Sequence, residues 1–327
     1  MTKMEFAISP DRRGTTSARL QCRPAINVNN GLGYAIDFHI RELLLESAPL
    51  MKSWSECKCC GKQAGGMEAW AKENRAEPVI SCDWYHGTWQ YLRLLDMVAT
   101  PPWYPFYMKA LGQLLVQKKD CELFISAAAD WGMLAMVHEA AAAVDAAPRV
   151  TLWDICESPL LASKWYADKF GVAITTKVSN IITESRELDG SFDIIVTDEF
   201  LTVLADPLKP MITQRWLDLL KPGGSLVTTA MIGGPTTVNL RELFQRRALR
   251  LFDRDSFLFK RMGITREEFE EQATMFAEVH TRHMLTSPEQ LEELFADYEL
   301  EYSAVVTPGE CVNPTTSYQV VARKPLA

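Results

Sequence analysis

The sequence predicts an α/β chain built on a doubly wound, seven-stranded sheet, the last strand antiparallel, behind an N-terminal helical cover. Three observations carry this expectation. Beyond residue 117, short apolar runs alternate with longer helical patterns, the rhythm of parallel strands joined by crossover helices. A Lys221-Pro222-Gly223-Gly224 turn leads from a helical pattern into an apolar run. Residues 1–116 lack that rhythm and hold the densest aromatic stretch. The chain therefore divides into a cover region, 1–116, and a sheet domain, 117–327.

Each element has its own reason. Leu123–Ala127 is a short apolar run suited to a buried strand, and Gly132–Ala146 an alanine-rich helix. Arg149–Trp153 reads as the second strand, ending at Asp154. Ser158-Pro159 has the pattern of an N-cap with proline at the first helical position, opening a helix through Phe170. Ala173–Val178 and Phe192–Thr197 follow as strands. Pro210–Leu220 reads as a helix stopped by the Pro-Gly-Gly turn, and Ser225–Ala230 as the fifth strand. Residues 239–296 are helical and charged, with a break near Gly263. Glu299–Val306 and Ser317–Arg323 close the chain as a hairpin-like antiparallel edge.

Upstream, Asp37–Leu50 has helical spacing and Met51–Arg75 reads as loop. Trp84, Tyr85, Trp89, Tyr91, Trp103, Tyr104, Phe106 and Tyr107 then fit two helices separated by Thr100-Pro101-Pro102. Their first use is packing.

Composition narrows the function. The chain of 327 residues carries 42 acids against 34 bases, a net charge of −8, which repels phosphate backbones and argues against a nucleic-acid partner. The basic run Arg241–Arg261 is diluted by Glu242, Asp253 and Asp255 and reads as a solvated helix face. No apolar run has bilayer-crossing length, and Met1–Leu20 lacks a signal-peptide pattern, so a cytoplasmic protein is expected. The eight cysteines form no framework, and Cys121 and Cys156 read as core or near-core thiols in a reducing compartment. Cys57-Lys58-Cys59-Cys60, with Cys82 further on, lacks paired C-x-x-C spacing and a nearby histidine, so no metal is expected there.

With these motifs in place, the chain from about Cys121 to Arg323 resembles the class I S-adenosylmethionine (SAM)-dependent methyltransferases, whose sheet is Rossmann-like. The most specific piece is Trp216-Leu-Asp-Leu-Leu-Lys-Pro-Gly-Gly-Ser-Leu-Val227, similar to the turn before that family's fifth strand. Phe192-Asp-Ile-Ile-Val-Thr-Asp198-Glu199 resembles its fourth-strand motif, whose end faces the transferred group. Asp154 matches the acid that receives the ribose hydroxyls, beside Ile155, because one carboxylate accepts both hydrogen bonds. Asn180, followed by Ile181, stands where the family often uses Asp for the adenine amino group.

The first loop departs from the family's acid-x-Gly-x-Gly-x-Gly pattern. Here it reads Ser126-Ala127-Ala128-Ala129-Asp130-Trp131-Gly132: only Gly132 is kept, Ala128 still allows close backbone approach, and Asp130 is new. Asp130 reads two compatible ways, as an anion for the ammonium of SAM's methionine part and as a cap for the following helix. The resemblance also implies that N-terminal helices cover the pocket, with faces among Trp84, Tyr85, Trp89 and Tyr107 toward the sulfonium. Asp198, Glu199, Tyr85 and His86 are the candidates to orient or deprotonate a nucleophile, though His86 also reads as a packed histidine.

The resemblance implies SAM as methyl donor and a small-molecule acceptor, with no nucleic acid, no membrane and at most a second copy of the chain as partner. The alternative, similar to azetidine-2-carboxylate synthases of this fold, is cyclisation of SAM itself with release of methylthioadenosine. That reaction needs a neutral amine in an apolar enclosure. A nicotinamide oxidoreductase would need a G-x-G-x-x-G loop, which Ala127–Gly132 is not. A scaffold protein without activity is the remaining class.

Overall fold

The computed structural model describes residues 38–56, 82–95, 97–98, 100–233, 238–279, 282–306 and 316–326. Seven strands form one sheet: β1 (Glu122–Ser126), β2 (Arg149–Asp154), β3 (Ile174–Val178), β4 (Phe192–Val196), β5 (Leu220–Ile232), β6 (Glu299–Val306) and β7 (Thr316–Arg323). Their order is β3-β2-β1-β4-β5-β7-β6, with β1 to β5 parallel and β7 antiparallel to both its neighbours. The expected doubly wound sheet with an antiparallel last strand is present. The final two strands pair antiparallel at the edge of the sheet, as expected, with β7 on the inside against β5 and β6 outermost.

Period-two alternation explains why the sheet is buried on both faces. Leu123 and Ile125 of β1 face one core cluster while Phe124 faces the other, and in β4 Ile194 and Val196 oppose Ile195 in the same way. On the first face lie α1 (Phe38–Glu56), α2 (Thr88–Leu94), α3 (Thr100–Gln117), α4 (Gly132–Ala143) and α5 (Glu157–Phe170). The second face is covered by the short α6 (Ile181–Glu184) and α7 (Phe200–Val203) with α8 (Lys209–Leu219). Between β5 and β6 come α9 (Val238–Arg254), α10 (Ser256–Arg261), α11 (Arg266–Val279) and α12 (Pro288–Leu294).

Several expected boundaries move, each for a local reason. Pro101 and Pro102 lie in the first turn of α3 rather than between the helices, where missing N–H groups cost nothing. The helix before the glycine turn ends at Leu219, and β5 already begins at Leu220, so the Pro-Gly-Gly turn belongs to the strand. Gly223 there takes φ of 75°, a conformation glycine enters freely. Cys156, not Ser158, is the residue before α5, which leaves Pro159 inside the first turn. Met51–Glu56 continues α1 instead of forming loop, while residues 57–75, with Cys57, Cys59 and Cys60, lie outside the described residues.

The charged helices also carry more than solvent. Phe252, Phe259, Phe269 and Phe276 from α9, α10 and α11 join the cluster that holds the N-terminal helices. The cover therefore has two sources in sequence. The Arg241–Arg261 run meets acids, as the solvated-face reading expects: Arg246 pairs with Glu242, and Arg254 with Asp255 at 2.9 Å. Among the described residues, no helix is long and apolar enough to cross a membrane.

Candidate active site

In an open parallel sheet, ligands bind beyond the carboxyl ends of the strands, where the strand order reverses. Here the reversal falls between β1 and β4, and the expected acids stand around it. Asp154, the last residue of β2, ties three strand ends together. Its Oδ2 accepts from the Ala128 N–H at 3.0 Å and its Oδ1 from the Cys156 N–H at 2.7 Å. Its carbonyl accepts from the Ser179 N–H at 2.9 Å. The carboxylate thus holds the loops after β1 and β2 by their backbone N–H groups.

The loop after β1 turns on Ala127, whose φ of 64° is one that a side chain resists. The glycine-favoring geometry therefore falls at Ala127, beside the Ala128 position at which the sequence suggested a close approach. Asp130 follows, buried, and serves two donors. Its Oδ1 accepts from the Gly132 N–H at 2.7 Å, and its Oδ2 from Arg93 Nη1 of α2 at 2.5 Å. Arg93 is equally buried, and its Cζ lies 4.9 Å from the centre of the Trp131 ring. A Cβ on Gly132 would come within 2.9 Å of Asp130 Oδ1 and 3.0 Å of Arg93 Nη1, so a side chain there would crowd the ion pair. Trp131 Nε1 donates to Ser47 Oγ at 2.9 Å, and Ser47 Oγ donates to Gln90 Oε1 at 2.8 Å. One polar chain thus fastens the first loop to α1 and α2.

At the end of β4 the two adjacent acids point different ways. Asp198 Oδ1 accepts from Thr229 Oγ1 at 2.8 Å and lies 2.9 Å from Tyr107 Oη. Tyr107 Oη is also 2.7 Å from the Thr197 carbonyl, so its single proton is shared between two acceptors. Glu199 has φ of 51°, and this left-handed backbone turns its side chain toward Thr202, whose hydroxyl donates to Oε2 at 2.7 Å. Glu199 Oε1 has no hydrogen-bond partner among the described residues. Burial raises the Asp198 carboxyl above its ordinary range, while Thr229 and Tyr107 pull it back. Burial and the charge of Asp198 push Glu199 up to about 7.

That shift has a measurable sign. Glu199 ionises near 4.5 in an unfolded chain and near 7 in the folded one. Between those values the native state holds a proton that the unfolded state has released, so stability falls as pH rises through this window and levels off above it. Glu199→Gln should flatten that slope by about 1–3 kcal/mol across the window. Urea midpoints at the two ends of the window check it, and an unchanged slope would place the titration elsewhere.

The aromatic cover arrives from above. A single π-helical turn, Asp83–Gly87, carries Tyr85. Burial first, then the charges of Asp154 and Asp198, raise its phenol well above the usual tyrosine value, with Asp130 adding to them and Arg282 opposing. Phe276 of α11 stacks on Tyr85 with centroids 5.9 Å apart, and Trp89 lies at 5.4 Å. Trp84 is buried beside this stacked pair, and its Nε1 has no partner among the described residues.

The remaining candidates are placed as follows. Tyr107 meets Asp198, and Tyr85 feels the charges of Asp154 and Asp198. Ile155 is half-buried against the first core cluster. Ile181 is buried in the second. Asn180 Oδ1 accepts from the Ile182 N–H at 3.0 Å and so caps α6. His86 is buried beside Tyr85, with ring centres 4.9 Å apart, and its ring nitrogen gathers with Cys82 and Cys156 rather than with the β4 acids. Sequence reasoning missed Arg93, Thr229 and Phe276. Arg93 did leave a signal: it is the lone base in the apolar run Tyr91-Leu-Arg-Leu-Leu95.

No family model matches the chain, and no curated protein matches it. Among solved structures it is similar to a SAM-dependent methyltransferase from Methanosarcina mazei, at 19% identity and TM-score 0.44, over 64% of this chain and 95% of that one. It is also similar to the 1,6-didemethyltoxoflavin-N1-methyltransferase of Burkholderia thailandensis, at 17% identity and TM-score 0.42, over 67% and 78%. A third is the [4+2]-cyclase SpnF, at 12% identity and TM-score 0.43, over 67% and 80%. Likenesses this distant decide neither family nor reaction.

Proposed function

We propose that this protein binds SAM at the carboxyl edge of its sheet and transfers the methyl group to a small molecule. One observation carries the reading: Asp154 at the end of β2, Asp130 after β1 and Asp198 after β4 stand on both sides of the point where the strand order reverses, with Arg93 and Tyr107 of the cover bonded to Asp130 and Asp198. A site with that charge suits a cationic ligand, and Asp154 at the end of β2 suits a ribose diol. The fit extends to the amino-acid end of SAM. Asp130 offers an anion for the ammonium, and Arg93 offers a cation for the carboxylate, with its Nε–H still unpartnered. Asn180 and Ile181 stand at the adenine end, and Trp84, Tyr85 and Tyr107 at the sulfonium end.

When bound, SAM supplies a methyl group on a positively charged sulfur, and the acceptor's lone pair takes that carbon while the carbon–sulfur electrons stay on sulfur. The chain's own work is to hold the acceptor in line and exclude water. Asp198 is bonded to Tyr107 and is the group that takes the acceptor's proton, with Thr229 fixing its orientation. Glu199 is turned away toward Thr202 and supports the loop. A covered edge favours a small acceptor.

Mass spectrometry of the pure protein with SAM alone, and then with candidate small acceptors, tests the reaction. Methyl transfer predicts no loss of SAM beyond its uncatalysed decay until an acceptor is added, and then S-adenosylhomocysteine in equal amount to methylated product. Methylthioadenosine appearing with azetidine-2-carboxylate from SAM alone would establish cyclisation instead and retire the methyl-transfer reading.

A further inference from the structure

The π-helical turn of the cover and the loop after β2 bring together three side chains that the acidic site does not use. Cys82 precedes the turn, His86 lies within it, and Cys156 follows Asp154 by two residues. The two sulfurs and one imidazole nitrogen lie within 4.8 Å of one another, and all three residues are buried. The backbone sets this up: the His86 N–H donates to the Cys82 carbonyl at 2.8 Å, which puts both side chains on one turn. Cys156 is fixed from its own side by its N–H bond to Asp154. Ser158 Oγ sits 3.1 Å from Cys82 Sγ and sets the direction of that sulfur. Packing leaves little slack, since a Cβ on Gly87 would meet Ser55 Oγ at 2.5 Å.

We propose that Cys82, His86 and Cys156 form a binding site for a thiophilic divalent cation, with zinc the ion that fits the donor set. Two thiolates and a neutral imidazole are borderline-soft ligands that zinc accepts at tetrahedral angles, and three protein ligands leave a fourth position for a small oxygen ligand. Binding displaces the two thiol protons to solvent as two sulfur–zinc bonds form. The ion bridges two segments far apart in the chain, the cover turn carrying Tyr85 and the loop that follows Asp154. Its role is to lock the cover to the strand ends. The site is independent of which ligand the acidic pocket takes.

Cobalt, the spectroscopic stand-in for zinc, gives the test on the chelator-treated full chain. One cobalt per chain should bind with tetrahedral visible bands and a near-ultraviolet thiolate band, both erased by added zinc. A variant with Cys57, Cys59 and Cys60 all changed to serine should behave the same, as should Cys121→Ser. Cys82→Ser and Cys156→Ser should each lose about half of the thiolate band by ligand count, and His86→Gln should weaken uptake at least roughly tenfold. Zinc should raise the Tm of the wild-type chain and not that of His86→Gln. If the substituted chains do not fold by circular dichroism, X-ray absorption at the zinc edge of the wild type decides. Two sulfurs at about 2.3 Å and a nitrogen at about 2.0 Å are expected. No uptake, a four-sulfur shell, or unchanged titration of all three variants would overturn the site.

Discussion

Replacing Arg93 by methionine is expected to destabilise the fold by about 3–5 kcal/mol, because it leaves the Asp130 carboxylate buried without its cation. Both members of the pair are nearly solvent-free, so water cannot take over the lost bond. The helix cap from Asp130 to the Gly132 N–H would persist, which confines the effect to the uncompensated charge. Asp130→Asn should cost a comparable amount for the opposite reason, by stranding the guanidinium. Combining Arg93→Met with Asp130→Asn should recover much of the loss, since a buried pair replaced on both sides is often near neutral. Thermal melts would show single-variant Tm values lower by roughly 5–15 °C and the double variant closer to wild type. Additive losses would mean that the two residues are stabilised by separate neighbours.

Asp154→Ala should weaken SAM binding about 10–100-fold, the equivalent of roughly 1.5–3 kcal/mol for a charged acceptor lost from the ribose hydroxyls. Calorimetry with S-adenosylhomocysteine avoids turnover during the titration. The same change frees the Ala128 and Cys156 N–H groups, so it loosens both loops as well as the ligand contact. A melt run beside the titration separates these effects: a folded variant with full affinity would remove the end of β2 from the ligand site. Asp154→Asn keeps one acceptor oxygen and should fall between the wild type and the alanine variant.

The two residues differ in how visible they were. Asp154 follows an apolar strand by simple spacing, so its place at a carboxyl edge could be read from neighbours in the chain. Arg93 stands 37 residues from its partner, and nothing local says which acid it meets. The cover shows the same limit. Phe276 lies in a helix whose charges mark it as solvated, yet its inner face stacks on Tyr85. A helix buries one stripe and solvates another, and composition averages the two.

Local pattern was enough for the sheet. Alternating apolar residues, the Pro-Gly-Gly turn that leads from helix to strand and acids at strand ends act within a few residues of one another, so the sequence by itself determined the strands, the crossover helices and the edge that carries the acids. Three things waited for the tertiary structure. The insertion of β7 between β5 and β6 depends on pairing across long chain separations. The division of work between Asp198 and Glu199 depends on one left-handed residue and on hydroxyls supplied by Thr229 and Thr202. The meeting of Cys82 and His86 with Cys156 depends on docking the cover against β2. In each case the deciding neighbour comes from a distant segment, and burial there sets charge and reach in a way that spacing along the chain does not encode.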